Sequence, residues 1–294
     1  MKKIILLFLC VVVFCVGCTT NKNLIAEESE LKETHIGRAV LKEAVREAAN
    51  SIYEDSGIIQ TNEYKPFTKK MVVYGITFVA KDDVSDEFML KVAKTMKEMF
   101  TQKEGIDLNL QENVLQNLYK YNALIPVVKG EFNLESSNKE MEKFSKIERE
   151  NSICDIIMEG SEYQTLEVVE HILHTVTDVG LHYALTDQWG LTKESMVYKS
   201  MQEAIDKNYY NISGYEDIPE GSTKERILIQ EFAYWVISSA WNVQESYGLG
   251  EEEWSLKNRE TLKESLLSAY NLYEMNIPKI MTVPSKETLD SFNE

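Results

Sequence analysis

Cysteine is scarce in most of this chain of 294 residues. Cys10, Cys15 and Cys18 stand near the start, which leaves Cys154 as the only cysteine in the remainder. A single cysteine cannot close an intramolecular disulfide, so the fold has to rest on its own hydrophobic core. The hydrophobic share of 44% is that of an ordinary globular protein, and it excludes an intrinsically disordered chain.

Positive charge is scarce as well. Lys and Arg number 31 against 48 Asp and Glu, and the net charge is −17. Nucleic acid is excluded as a partner because phosphate backbones bind basic surfaces. Electrostatic attraction to anionic lipid headgroups is excluded for the same reason. The chain also has no Gly-rich phosphate loop and no Gly-x-Ser-x-Gly motif, so the sequence shows neither of these catalytic signatures.

An apolar segment stands near the N-terminus. Lys2 and Lys3 precede the apolar run 4–14, and this layout is typical of an export signal peptide. The run is too short to span a bilayer, which takes about 20 residues. It ends at Cys15-Val16-Gly17-Cys18, which resembles the bacterial lipobox, where a small residue precedes the acceptor cysteine. Cys15 departs from the family pattern, since Leu usually stands three places before the acceptor.

The resemblance implies a lipoprotein signal peptide over 1–17, a lipid on Cys18 and a polar tether over 18–30. The lipid would be the contact with the membrane, because the acidic body is expected to stay off the headgroups. The predicted location is the extracytoplasmic side of the cell envelope. Thr19 follows Cys18 at the position where an Asp often retains lipoproteins at the inner membrane. This favours the outer membrane if the cell has two.

The remaining chain predicts an α+β protein. An N-terminal helix is predicted within 31–60, chiefly over 31–54, and a single α+β domain over 66–294. Strands are predicted over 70–80, 125–132 and 153–158. Helices are predicted over 85–100 and 107–119, a charged helix or long loop over 138–149, and, after Gly160, helices over 164–185, 194–207, 223–246 and 256–275.

Histidine is rare, yet three of the four histidines fall within the segment 171–182. On a helix, positions 167, 171, 174, 178 and 182 form one stripe. Imidazole and carboxylate together suit zinc, and also manganese or iron. The alternatives are a solvated face or a buried hydrogen-bond network. The residues of the stripe are Glu167, His171, His174, Asp178 and His182.

The order of these elements is similar to that of the lethal-factor-like zincin metallopeptidases, over roughly residues 68–280. In that group an edge strand pairs with the substrate backbone, a helix supplies two metal ligands one turn apart, and a later Glu supplies the third. Glu231 matches this third ligand. The resemblance implies a zinc-dependent peptidase acting on a peptide substrate. It makes Tyr215 the nearest match to the tyrosine that stabilises the oxyanion, although its spacing to Glu231 is long.

The motif departs from the zincin pattern His-Glu-x-x-His, because Glu170-His171-Ile172-Leu173-His174 exchanges the first two residues. In the family register, Glu170, His174 and Glu231 bind the metal, and His171 serves as the general base in place of the catalytic Glu. In the other register, His171 and His174 bind it with Glu231, Glu167 or Asp178. In this register Glu170 cannot simply replace the missing base. It precedes the first ligand by one residue, so it points about 100° the opposite way around the helix from a Glu that follows that ligand.

Three functions remain open at this point. The first is an envelope lipoprotein with a metal-dependent peptidase domain. The second is a non-catalytic zincin relative that keeps the fold, with or without the metal, and binds an envelope protein. The third is a binding lipoprotein whose histidine stripe is structural.

Overall fold

The computed structural model describes residues 40–130, 138–248 and 253–293. The signal peptide, Cys18 and the tether lie outside these ranges, so the lipid anchor stays a prediction. Within the three ranges, no helix has both the length and the apolar character needed to cross a bilayer.

The N-terminal part is built on a mixed sheet of five strands, which follow one another across the sheet in chain order. The first three strands pair antiparallel, and the third, fourth and fifth pair parallel. The fifth strand therefore forms one edge of the sheet. The strands are β1 (Ile59–Gln60), β2 (Lys69–Val73), β3 (Ile76–Ala80), β4 (Leu124–Lys129) and β5 (Ile157–Glu159).

The single strand predicted over 70–80 is wrong, because the chain folds back within it. Tyr74 and Gly75 have φ angles of 49° and 88°, which make the tight turn of a hairpin between β2 and β3. A Cβ on Gly75 would lie 2.7 Å from the carbonyl oxygen of Leu115, so this turn packs directly on a helix. Both faces of β3 are buried, which gives the hairpin the unbroken apolar run of one long strand.

Three helices accompany the sheet: α1 (Asp86–Met99), α2 (Leu108–Lys120) and α3 (Asn138–Glu150). They confirm the helices predicted over 85–100 and 107–119, and they settle 138–149 as a helix. The side chains of Ser85 and Asp107 cap the first two by accepting bonds from backbone N–H groups three residues on.

The rest of the chain is mostly helical, which confirms the predicted α+β class. The helix predicted over 164–185 has a π-helical turn, Val176–Leu181, in its middle. The helices predicted over 223–246 and 256–275 are each broken once, at Asn242 and at Leu266. The helices are α4 (Gln164–Thr175), α5 (His182–Ala184), α6 (Thr186–Trp189), α7 (Met196–Asp206), α8 (Ser222–Ala240), α9 (Val243–Tyr247), α10 (Arg259–Ser265), α11 (Leu267–Ile280) and α12 (Lys286–Asp290).

The helix predicted over 31–54 is wrong in its described part. Residues 40–58 form an irregular strap along the body instead. The N–H of Val45 donates to the carbonyl of Lys120 at 2.9 Å, and the N–H of Ala49 donates to Oε1 of Gln116 at 2.8 Å. These bonds to α2 replace the bonds that a helix would make within itself. Val40 and Ile52 of this segment still pack on the large core cluster, whereas Val45 is 55% exposed, so only part of the apolar side of the predicted helix reaches the core.

The hydrophobic core lies on both faces of the sheet. Phe78 belongs to the large cluster that also contains the apolar side of α4, whereas its neighbour Val79 belongs to a smaller cluster. Phe144 and Ile147 of α3 complete the smaller cluster. Successive residues of a strand point to opposite faces, so α3 and α4 cover opposite faces of the sheet.

The π-helical turn packs tightly against α2, and Gly180 is the residue that permits this approach. A Cβ at Gly180 would lie 2.8 Å from Cγ1 and 3.3 Å from the carbonyl oxygen of Val114. Gly180→Ala should therefore lower the free energy of unfolding by roughly 1–3 kcal/mol, measured by urea denaturation. Gly214→Ala is the control, because a Cβ there meets nothing within 4 Å. A stabilising effect of Gly180→Ala, as expected from helix propensity alone, would contradict this close packing.

Candidate metal centre

The candidate centre lies where α4 packs against α8. His174 on α4 has no exposed surface, and Glu231 on α8 is 7% exposed. The two helices meet because each turns an apolar side to the large core cluster, which brings polar residues from both into the same contact. Nε2 of His174 lies 3.2 Å from Oε2 of Glu231.

Two groups of side chains are close enough to hold an ion. Glu170, His174 and Glu231 place their ligand atoms within 4.8 Å of one another, and so do Asp155, His171 and His174. His174 belongs to both groups. Its Nδ1 lies 2.9 Å from Oδ2 of Asp155, while its Nε2 faces Glu231. The two edges of one buried imidazole therefore carry the two groups.

The first group fits a divalent ion in its spacing. Ligands about 2.0–2.2 Å from a tetrahedral zinc lie about 3.3–3.6 Å from one another, close to the 3.2 Å between Nε2 of His174 and Oε2 of Glu231. Within the described ranges this buried nitrogen has no hydrogen-bond partner of ordinary geometry, so its contact with Glu231 is an ion pair and not a well-aligned hydrogen bond. The pair is thus spaced like two ligands of one ion and is poorly aligned as a hydrogen bond.

Asp155 is a member of the centre that the sequence did not reveal. Its Oδ2 accepts a hydrogen bond from Nδ1 of His174 at 2.9 Å and lies 3.7 Å from Nε2 of His171. A carboxylate on the second nitrogen of a metal-binding histidine fixes the orientation of the ring and raises its basicity. Asp155 belongs to the loop before β5, outside the helical stripe. The one available signal was that this segment directly precedes the histidine-bearing helix.

His171 lies beside the first group, within a ring of acidic side chains. Its Nε2 is 4.0 Å from Oε1 of Glu170, and its Nδ1 is 3.3 Å from Oε1 of Glu167. Burial alone lowers the pKa of His171, but the charges of Asp155 and Glu167 outweigh it and raise the pKa to about 10. The imidazole is therefore held between carboxylates on both of its edges.

The charge of the cluster is unbalanced. Four carboxylates, those of Asp155, Glu167, Glu170 and Glu231, surround the two imidazoles. Burial lowers the pKa of His174, but Glu231 and Asp155 raise it well above its usual value. Burial raises the pKa of Glu170. Even with both imidazoles protonated, the carboxylates are in excess, so the cluster attracts cations.

The outer edge of β5 is covered by side chains. Glu167 accepts the N–H of Met158 at 2.8 Å, and Nε2 of Gln164 donates to the carbonyl of Met158 at 2.8 Å. The N–H of Gly160 donates to Oε1 of Gln164 at 2.6 Å. In a parallel ladder the N–H and C=O of one residue point to the same side, so Met158 turns both groups away from β4. α4 thus occupies the backbone groups to which an incoming strand would pair.

Asp178 and His182 do not join the cluster. Asp178 is fully buried, and its Oδ2 lies 3.3 Å from Nη1 of Arg226 on α8. His182 accepts the N–H of Leu191 at 3.1 Å through its Nδ1. The predicted stripe therefore ends at His174, because the π-helical turn that follows takes more residues per turn than an α-helix.

Tyr215 lies in a different network. It is fully buried and donates its hydroxyl to Oε1 of Glu253 at 2.7 Å, and the indole N–H of Trp235 donates to the same oxygen at 3.2 Å. Burial raises the pKa of Tyr215 well above its usual value, and the charge of Glu231 adds to this effect. The hydroxyl is thus near enough to sense Glu231 but is directed at Glu253.

No family model, no curated protein and no solved structure matches this chain. The similarity to zincins therefore rests on the Glu-His-x-x-His motif and the order of elements, and it stays a prediction. The centre itself is defined by its own geometry.

The structure makes Asp178 a structural residue that pairs with Arg226. Asp178→Asn should leave zinc binding unchanged and lower the free energy of unfolding by about 3 kcal/mol, because it leaves a mostly buried guanidinium without its charge partner. Urea denaturation and elemental analysis of the same samples measure the two effects. The matched control is Glu225→Gln, which breaks the exposed pair with Lys193 and should leave the free energy of unfolding nearly unchanged. Loss of zinc from Asp178→Asn would instead make Asp178 a ligand.

Proposed function

We propose that this chain is a lipid-anchored, extracytoplasmic protein of the cell envelope whose zincin-like domain binds one divalent metal ion through Glu170, His174 and Glu231. The observation that carries the proposal is the first group of the centre. In it, the carboxylates of Glu170 and Glu231 and the buried imidazole of His174 place their ligand atoms within 4.8 Å of one another. Zinc is the first choice, because the 3.2 Å between Nε2 of His174 and Oε2 of Glu231 is close to the spacing of two ligands of a tetrahedral zinc. The same donors also suit manganese and iron.

The ligand set corresponds to the family register of the motif. Glu170 and His174, four residues apart, lie on the same side of α4, and Glu231 faces them from α8. Asp155 holds Nδ1 of His174, so that Nε2 points to the ligand position. The cluster has more carboxylates than imidazoles. A cation bound at this position would compensate the excess negative charge, which otherwise has to be neutralised by protonating the carboxylates.

The covered edge of β5 favours a binding protein over a peptidase. A peptide that added to this edge would have to displace Glu167 and Gln164 from Met158 and Gly160. We therefore propose that the domain keeps its metal and binds a partner at the envelope without cleaving it.

A metal-dependent peptidase is the second candidate, and the place of His171 favours it. Nε2 of His171 lies 4.0 Å from Oε1 of Glu170, one of the proposed ligands, and Glu167 lies at the opposite edge of the ring. A bound metal would polarise the scissile carbonyl and lower the pKa of water. The charge of a bound cation would oppose that of the surrounding carboxylates and lower the pKa of His171, so that its neutral imidazole could accept the proton that leaves this water, with Glu167 orienting the ring.

The metal content of the full chain, purified in a mild detergent and loaded with zinc or manganese, tests the proposed site. We expect about one ion per chain by elemental analysis, and lower affinity when ligands are removed. Glu231→Gln and His174→Ala should weaken binding by more than about 100-fold, and Asp155→Asn by about 10–100-fold, the usual cost of losing an orienting partner.

Glu225→Gln is the matched control, since it makes the same change on the surface of the same helix. It should bind metal like the unchanged chain. If the chain takes up neither zinc nor manganese, or if Glu231→Gln and His174→Ala retain full affinity, the proposed metal site is wrong.

Hydrolysis of an unfolded protein such as casein separates the two candidates. A binding protein should carry its metal and release no peptides. A peptidase should cleave, stop on chelation, and lose at least about 100-fold in rate in His171→Ala at unchanged metal content, since a positioned base contributes about 10²–10⁴-fold. Cleavage that survives in His171→Ala would exclude His171 as the base.

A further inference from the structure

A second position for a metal ion lies at the other edge of the His174 ring. There Oδ2 of Asp155 lies 2.9 Å from Nδ1 of His174 and 3.7 Å from Nε2 of His171. The other oxygen of Asp155, Oδ1, accepts the N–H of Ile156 at 2.9 Å, which fixes the carboxylate. His174 has no exposed surface and His171 is 8% exposed, so the nitrogens of both rings need polar partners within the protein.

The two groups of the centre differ in their donor atoms. The first group offers one imidazole nitrogen and two carboxylates, whereas the second offers two imidazole nitrogens and one carboxylate. Imidazole nitrogen suits copper and nickel as well as zinc, and copper(II) binds such donors most tightly of the divalent ions from manganese to zinc. The second group is therefore the better position for an ion that prefers nitrogen.

The spacing of the second group suits the tetragonal arrangement that copper(II) prefers. Ligands about 2.0 Å from an ion lie about 2.8 Å apart when they are at right angles and about 4.0 Å apart when they are opposite. The distances of 2.9 Å and 3.7 Å from Oδ2 of Asp155 to the two rings are near these values. In the first group, the 3.2 Å between His174 and Glu231 is nearer to the tetrahedral spacing.

Each imidazole of the second group has a carboxylate at its other edge. Nδ1 of His171 lies 3.3 Å from Oε1 of Glu167, so Nε2 is the nitrogen that faces Asp155. Nε2 of His174 lies 3.2 Å from Oε2 of Glu231, so Nδ1 is the nitrogen that faces Asp155. A carboxylate at the second nitrogen of a histidine ligand orients the ring for metal binding. Both rings of the second group have this support.

We propose that the second group, formed by Asp155, His171 and His174, is a copper(II) site. It excludes the ion of the first group, because a neutral imidazole has one lone pair and His174 belongs to both groups. Copper would replace the hydrogen bond from Nδ1 of His174, and the ring proton would then lie on Nε2, which faces Glu231. The copper site goes beyond the proposed function and shares only His174 with the first group.

Copper(II) bound to the full chain, purified in a mild detergent, tests this site. The accessible thiols are first alkylated with N-ethylmaleimide, because thiolates are themselves copper ligands. We expect electron paramagnetic resonance to show two imidazole nitrogens on the copper. His171→Ala should weaken copper binding by about 100-fold or more and leave one imidazole on any copper that still binds. His182→Ala is the matched control, since His182 lies outside both groups, and it should bind copper like the unchanged chain.

Zinc binding by the same variants separates the copper site from the first group. Glu170→Gln removes a ligand of the first group, so it should weaken zinc binding far more than copper binding. His171→Ala should weaken copper binding but not zinc binding, and its zinc binding also shows that this variant is folded.

Three results would each overturn the copper site: unchanged copper affinity in His171→Ala, a single imidazole on the copper of the unchanged chain, or loss of copper with Glu170→Gln. Chains that hold one zinc and one copper together would overturn the exclusion of the two ions. Absence of zinc binding with copper binding intact would contradict the proposed function and leave the copper site standing.

Discussion

The buried contact of His174 with two carboxylates constrains the rest of this structure. The ring has no exposed surface, and its two nitrogens face Asp155 and Glu231. Charged or polar groups removed from water need partners, so three separate segments have to meet at this ring. They are the loop before β5, the helix α4 and the helix α8. The contact therefore joins the edge of the sheet to the helical half of the chain.

The same helix, α4, has two roles that compete in a peptidase. His174 and Glu170 supply the candidate ligands, while Glu167 and Gln164 cover the outer edge of β5. Glu167 connects the two roles, since one of its oxygens faces both the N–H of Met158 and Nδ1 of His171. A group that fills the edge in this way stabilises the contact between sheet and helix, and it does so where a substrate strand would have to enter.

Local patterns predicted those parts of the fold that depend on near neighbours in sequence. The helices predicted from 85 and 107 begin where Ser85 and Asp107 cap them, since a capping side chain bonds an N–H only three residues away. The step of four residues from Glu170 to His174 likewise placed both on one side of a helix. The choice of Glu231 rested on the zincin resemblance, and the structure brings it to the same group. The hairpin at Tyr74 was missed because both faces of β3 are buried. Its apolar run continues that of β2 without the polar alternation that would have distinguished two strands.

The sequence by itself thus determined the α+β class, most of the helices and the place of Glu170 and His174 on one side of a helix, one of two registers that the motif left open, since composition and helical period are properties of the chain. Only the tertiary structure decided that Asp155 orients His174, that Asp178 pairs with Arg226, and that 40–58 is a strap. These outcomes depend on contacts between residues far apart in the chain. Such contacts compete with local preference, and their energy is set by burial and by the charge of the partner, neither of which a periodic pattern contains.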